Sequence, residues 1–188
     1  MTTTERRRRD EGIIFVALFA LTIPAANWMI GHVGTVCQPA GPCLVPVGAG
    51  LMAPSGVTMA GAALVLRDLV QRRLGVTASS LAILAGAVLS ALLAPPALVL
   101  ASAAAFLLSE FADLAVYTPL ARRGLIIAVV ASGVVGLVVD SVVFLWLAFG
   151  SLEFLLGQII GKAWMVLISV PCVAWLRRRD ARLGMAPV

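Results

Sequence analysis

Lysine and histidine each occur once in this chain of 188 residues, and acidic and basic side chains together supply only 12% of it. So little charge cannot coat a soluble globule in which 61% of residues are hydrophobic, which excludes a freestanding water-soluble domain. A single histidine, His32, and three cysteines do not make a convincing zinc site, which takes four protein ligands or three and a water. Aromatic residues are only 6% and are not interleaved with the basic ones, so a net charge of +5 does not describe a nucleic-acid surface. No motif around a serine pairs it with His32, and hydrolytic catalysis is not expected. The segment GQIIGKA at 157–163 falls one residue short of a phosphate loop and lacks Ser or Thr after Lys162. The chain therefore reads as a non-enzyme with no cofactor.

What the chain has in abundance is apolar length. A helix needs about 20 apolar residues to span the hydrocarbon core, and six segments meet that standard: 12–31, 49–70, 76–94, 97–118, 124–147 and 152–176. The expected fold is all-α, a polytopic membrane protein of six transmembrane helices. Its thirteen arginines fall in four clusters, at 6–9, at 67, 72 and 73, at 122–123, and at 177–179 with 182, and two apolar segments separate each cluster from the next. Cytoplasmic loops collect Lys and Arg, so both termini are expected in the cytoplasm. Basic ends at 1–11 and 177–188 then flank a transmembrane domain at 12–176. The first apolar run continues to about residue 31 without a small-residue cleavage site, and reads as an uncleaved helix.

The loop at 32–48 would lie outside the cell. It carries Cys37 and Cys43, which either form a disulfide or remain two free thiols. The sequence Ala53-Pro54-Ser55-Gly56 reads as an interruption of the second helix, either an unwound stretch or a proline kink. Small residues at helical spacing, Ala82, Gly86 and Ser90 and then Gly157 and Gly161, read as close helix packing.

A charge near the bilayer centre costs roughly 2.5 to 3.5 kcal/mol on insertion scales, so each one needs a partner or a wet cavity. Glu110 and Lys162 fall near the expected midplane, Asp113 nearer the cytoplasm, and Asp140 and Gln158 in the outer half. Glu110, Asp113 and Tyr117 share one helix face; Ser132, Gly136 and Asp140 share another; Gln158, Lys162, Met165 and Ser169 share a third. Three polar faces on three helices are satisfied together only around a common interior, with one lysine against three carboxylates. The residual negative charge calls for a proton, a cation or a donor-rich ligand. The expected substrate-binding residues are Glu110, Asp113, Tyr117, Ser132, Asp140, Gln158 and Lys162, with Asn27, which either caps the cavity or, with Trp28, anchors at the membrane interface. Asp140, Glu110 and Asp68 are the candidates for proton or ion coupling. Asp68 also reads as an interfacial salt bridge to Arg72, and Lys162 with one carboxylate as a simple helix lock.

The segments SEFADLAVYTPLARR at 109–123, ASGVVGLVVDSVVFLWLAFG at 131–150, LLGQIIGKAWMVLISVP at 155–171 and RDLVQRRLG at 67–75 resemble the queuosine-precursor transporter family, also called the vitamin-uptake-like family. The resemblance implies inward transport of 7-deazaguanines such as preQ0 or preQ1 across a bacterial cytoplasmic membrane. Its partners would be a small-molecule substrate and the lipid bilayer, with a homodimer admitted. Arg72, Leu74 and Glu110 depart from the family pattern, which points toward a related purine-like solute. Two other readings stand beside it: a substrate-binding membrane subunit of an ATP-driven vitamin importer, and a structural membrane protein without a solute.

Overall fold

In lipid no water satisfies the backbone, so long apolar runs adopt the conformation that pairs their own N–H and C=O groups, which is the helix. The computed structural model describes residues 3–37 and 42–185. It holds five helices, α1 (Thr3–His32), α2 (Val57–Leu93), α3 (Val99–Leu120), α4 (Leu125–Phe149) and α5 (Leu155–Leu183). All five are long and apolar enough to cross a membrane, α3 together with the short 3-10 turn Pro96–Leu98 that leads into it. Leu92 and Leu100 are more than 70% exposed while Arg67, Asp68 and Asp113 are wholly buried, an inside-out distribution suited to an apolar solvent.

The count is five because the segments expected at 49–70 and 76–94 are two helical arms joined directly through Gly75, with no loop between them. At 37 residues α2 would be about 55 Å long if straight, but it is broken at Gly75, whose φ of 86° and ψ of 177° suit only glycine. The two arms run in opposite directions. Along the first arm, residues 57–74, Arg73 pairs with Glu11 of α1 and Gly56, just before the arm, lies against Ala26, so this arm is antiparallel to α1. Along the second, residues 76–93, the space beside Gly86 is filled by Ile23 of α1, while Leu74 at the break lies against Gly12. The second arm is therefore parallel to α1, and α2 is a hairpin.

The second expected helix also starts later than residue 49. Residues 43–48 and 51–54 form strands instead: β2 (Cys43–Gly48) and β3 (Leu51–Pro54) join β1 (Val36–Cys37) in an antiparallel sheet of order β1-β2-β3. A short apolar run can be strand or helix on hydropathy alone, and Pro46, Gly48 and Gly50 favour the strand and its turn. The expected interruption at residues 53–56 is the end of β3 and the turn into α2. The Ser55 hydroxyl donates to the Met29 carbonyl (2.6 Å) and its N–H to the Cys43 carbonyl (2.9 Å), fixing that turn against α1 and β2. A disulfide joins Cys37 to Cys43 and closes the edge of the sheet. The basic residues at both ends are helical, since α1 begins at Thr3 and α5 continues to Leu183.

The arginines other than Arg67 sit at one end of the bundle: at the start of α1, at the tip of the α2 hairpin, in the turn between α3 and α4, and at the end of α5. The sheet occupies the opposite end. Close crossings hold the core together. A Cβ at Gly61 would stand 2.8 Å from the Lys162 carbonyl oxygen, and one at Gly136 would stand 2.7 Å from Leu64 and 3.1 Å from Asp113. The backbone contact at Gly61 admits only glycine, and Gly136 lets α4 lie close to α2 and α3.

Candidate solute-binding site

From the sheet end toward the basic end, polar side chains form three successive layers inside the bundle. The first surrounds Lys162. Its ammonium lies 2.6 Å from Asp140 Oδ2, donates to the Ser141 hydroxyl at 2.8 Å, and donates to the Gln158 side-chain carbonyl one turn earlier on α5. Lys162 is 2% exposed, and the Asp140 side chain 17%. An ammonium has three donors and all three are engaged.

Lys162, Asp140 and Gln158 form one wall of a cavity of about 100 Å³. Asn27, Thr22, Ser90 and Ser102 supply further polar groups, while Phe106, Phe144, Met59 and Val57 supply apolar and aromatic surface. A largely apolar hollow with a few convergent polar groups is the usual form of a small-molecule site. Asn27 donates to the Ile23 carbonyl of its own helix (2.9 Å), leaving its amide oxygen as an acceptor. The cavity thus offers a carboxylate, an ammonium and carboxamide groups to a solute with both donors and acceptors. Its aromatic walls suit a flat one.

The second layer is centred on Arg67. Its guanidinium reaches Asp68 at 2.8 Å, Asp113 at 2.7 Å and Glu110 at 3.4 Å, and donates to Gln71 at 3.1 Å. Ser132 donates to Asp68 Oδ2 (3.1 Å), Gln71 donates to Thr118 (3.0 Å), and the guanidinium lies over the Tyr117 ring, 5.5 Å from its centre. The ion-pair partners are at most 2% exposed. Asp113 Oδ2 receives no hydrogen bond. One cation faces three carboxylates here, and two excess ionised carboxylates without water would cost several kcal/mol each.

The third layer lies at the basic end. Asp180 accepts from Arg72 Nε (3.0 Å) and Nη2 (2.7 Å) and from Arg73 Nη1 (2.9 Å) and Nη2 (2.8 Å). Glu11 pairs with Arg73 (3.0 Å), Arg179 (2.6 Å) and Arg7 (3.3 Å).

The expected single interior is therefore divided. Asn27, Asp140, Gln158 and Lys162 line the cavity; Glu110, Asp113, Tyr117 and Ser132 do not, and pack around Arg67 instead. Asp68 pairs with Arg67 and not with Arg72, whose guanidinium turns to Asp180. The physical reason is depth: Glu110 to Tyr117 lie on the basic-end half of α3, level with Arg67, while Asp140 lies eight residues beyond Ser132 on α4, about 12 Å along the axis. Arg67 is the functional residue that sequence reasoning missed. Its signal was present, since it stands five residues inside the apolar run from Arg72, one turn from Gln71 and beside Asp68.

With this geometry described, comparison with known proteins adds one finding. Residues 90–176 match the model of the family described as "Putative vitamin uptake transporter". The match covers α3, α4 and most of α5, just under half of the chain, and includes Glu110, Asp113, Asp140, Gln158 and Lys162. No curated protein and no solved structure matches the chain. Helices of spanning length and a transporter-family match together describe a multi-pass membrane protein with a small-molecule substrate.

Proposed function

We propose that this protein is a cytoplasmic-membrane uptake transporter for 7-deazaguanine queuosine precursors or a related purine-like solute, which it binds in the cavity walled by Lys162, Asp140, Gln158 and Asn27. The observation that carries this reading is the cavity itself, in which an ammonium and a carboxylate meet carboxamides between Phe106 and Phe144. A guanine-like edge presents adjacent N–H donors and a carbonyl acceptor. Asp140 accepts from the donors, Lys162 exchanges its bond to Ser141 for one to the carbonyl, and the phenyl rings pack on the heterocycle. Six crossings, with the arms of α2 counted separately, put both termini and all four arginine clusters on the cytoplasmic side. The protein carries out no chemistry on its solute.

Coupling belongs to the Arg67 layer on this reading. Its two excess carboxylates take up protons, with Glu110 and Asp68 as carriers and Asp140 linking the layer to the solute. The test is a thermal-shift titration of purified protein with 7-cyano-7-deazaguanine, run beside Lys162→Ala and Asp140→Asn. A solute at 100 times its Kd stabilises by about 2.7 kcal/mol, and both substitutions should abolish that shift. An unchanged shift in both variants would move the site elsewhere. No shift in the parent protein with deazapurines, purines or vitamins would remove the solute-carrier reading.

A further inference from the structure

The cavity reaches only the sheet-end half of the bundle. Between its floor at Lys162 and the basic end stand Arg67, Asp68, Glu110, Asp113 and Tyr117, each at most 1% exposed. A solute held at Lys162 cannot pass them unless helices separate. In the third polar layer Asp180 and Arg73 are at most 2% exposed, but Arg72 is 9%, Glu11 16% and Arg179 21% exposed, so water can enter at its rim as the contacts part, whereas the Arg67 layer has no such access.

That outermost layer also joins chain segments far apart in sequence: Asp180 with Arg72 and Arg73, 108 and 107 residues away, and Arg179 with Glu11, 168 away. Both α5 partners lie beyond Pro171, a proline inside the helix. Proline has no N–H for the helical ladder and its ring crowds the preceding turn, so a helix bends most easily there. On the near side of Pro171, Lys162 and Gly61 hold α5 tightly against α2. On the far side, Val173 packs in a cluster with Ala128, Leu125 and Tyr117.

We propose that residues 172–183 of α5 form a gate pivoting at Pro171, held shut by the Asp180–Arg72/Arg73 and Arg179–Glu11 ion pairs, and that the structure is the form closed at its basic end. This rests on the transporter reading for its purpose, but not for its test. Opening lifts Val173 out of the cluster that it shares with Ala128, which is wholly buried in the closed form. Ala128→Cys, in a Cys172→Ser background, then reports opening through its rate of maleimide labelling in native membranes. Losing hydrogen bonds to a charged group is expected to raise the open population at least about ten-fold, so Asp180→Asn should raise the labelling rate by that factor and Asp180→Glu should largely restore it. Ile83→Cys, wholly buried on the second arm of α2, serves as the control and should not change.

An unchanged Ala128→Cys rate in Asp180→Asn overturns the gate. So does an equal rise at Ile83→Cys, which would mean general loosening. A second measurement locks the closed form by cross-linking Glu11→Cys to Arg179→Cys with bis-methanethiosulfonates of increasing length. Labelling at Ala128→Cys should fall with the linker that fits and recover on reduction; labelling that continues unchanged in the locked protein overturns the proposal. If labelling responds as expected and 7-cyano-7-deazaguanine is neither bound nor taken up, the gate stands and the solute assignment falls.

Discussion

Arg67 and Lys162 are buried cations of the two inner polar layers, and their surroundings differ in a way that separates their roles. Lys162 faces one carboxylate and a cavity; Arg67 faces three carboxylates and none of the cavity-lining groups. Removing one member of a buried ion pair strands the other, at roughly 3–5 kcal/mol. Arg67→Met should therefore cost about that much, read as a lowered unfolding midpoint in detergent, and adding Asp68→Asn and Asp113→Asn should recover much of it. A single Arg67→Met as stable as the parent would show that the layer is already neutralised without the arginine. The lysine site was legible in the sequence because Gln158 and Lys162 recur at one helical turn and Lys162 is the only lysine. Arg67 was not, because it stands near Arg72 and Arg73 and shares their apparent role in orienting the chain. The excess of carboxylates on α3 and α4 over that one lysine was the remaining clue that a second buried cation was needed.

At the scale of elements, Gly75 decides the architecture. It lets two arms of about 27 Å each fold back on one another, where a straight α2 would overrun a hydrocarbon core of about 30 Å. A side chain at its positive φ costs of order 1–3 kcal/mol, so Gly75→Ala should lower the unfolding midpoint measurably. Gly31→Ala, with φ outside the positive range and open space beside it, should leave it unchanged; equal midpoints for the two variants would mean that the break is not strained. The two arms were legible as separate apolar segments because RDLVQRRLG interrupts the hydropathy between them. Their direct joining was not, because one glycine, Gly75, reverses the chain where a loop of several residues would be expected. The sheet was not legible either. Residues 43–54 are as apolar as a helix start, and what makes them strands is tertiary: Trp164 of α5 donates to the Val47 carbonyl, and Gly157 leaves room for the Met52 carbonyl.

For the whole molecule, the proposed even number of crossings is supported by where the ends meet. Glu11 near the start of the chain and Arg179 near its end are 2.6 Å apart, and both lie against Arg73 or its partner Asp180 at the tip of the α2 hairpin. Two ends on one side of a membrane require an even number of crossings. Five crossings by α1 to α5 would put them on opposite sides and would drive the hairpin tip, with Arg72 and Arg73, into lipid at roughly 2.5–3.5 kcal/mol per arginine. Six crossings leave every arginine cluster in the same compartment, as the orientation rule favours. Paired reporters check this directly: a fluorescent protein fused at the C-terminus, or inserted after Arg123, should fluoresce as a cytoplasmic fusion does. Alkaline phosphatase, active only outside, should be active at Pro95 and silent at both other sites. An active phosphatase at the C-terminus would overturn the even count, and with it the shared compartment that the basic-end ion pairs need.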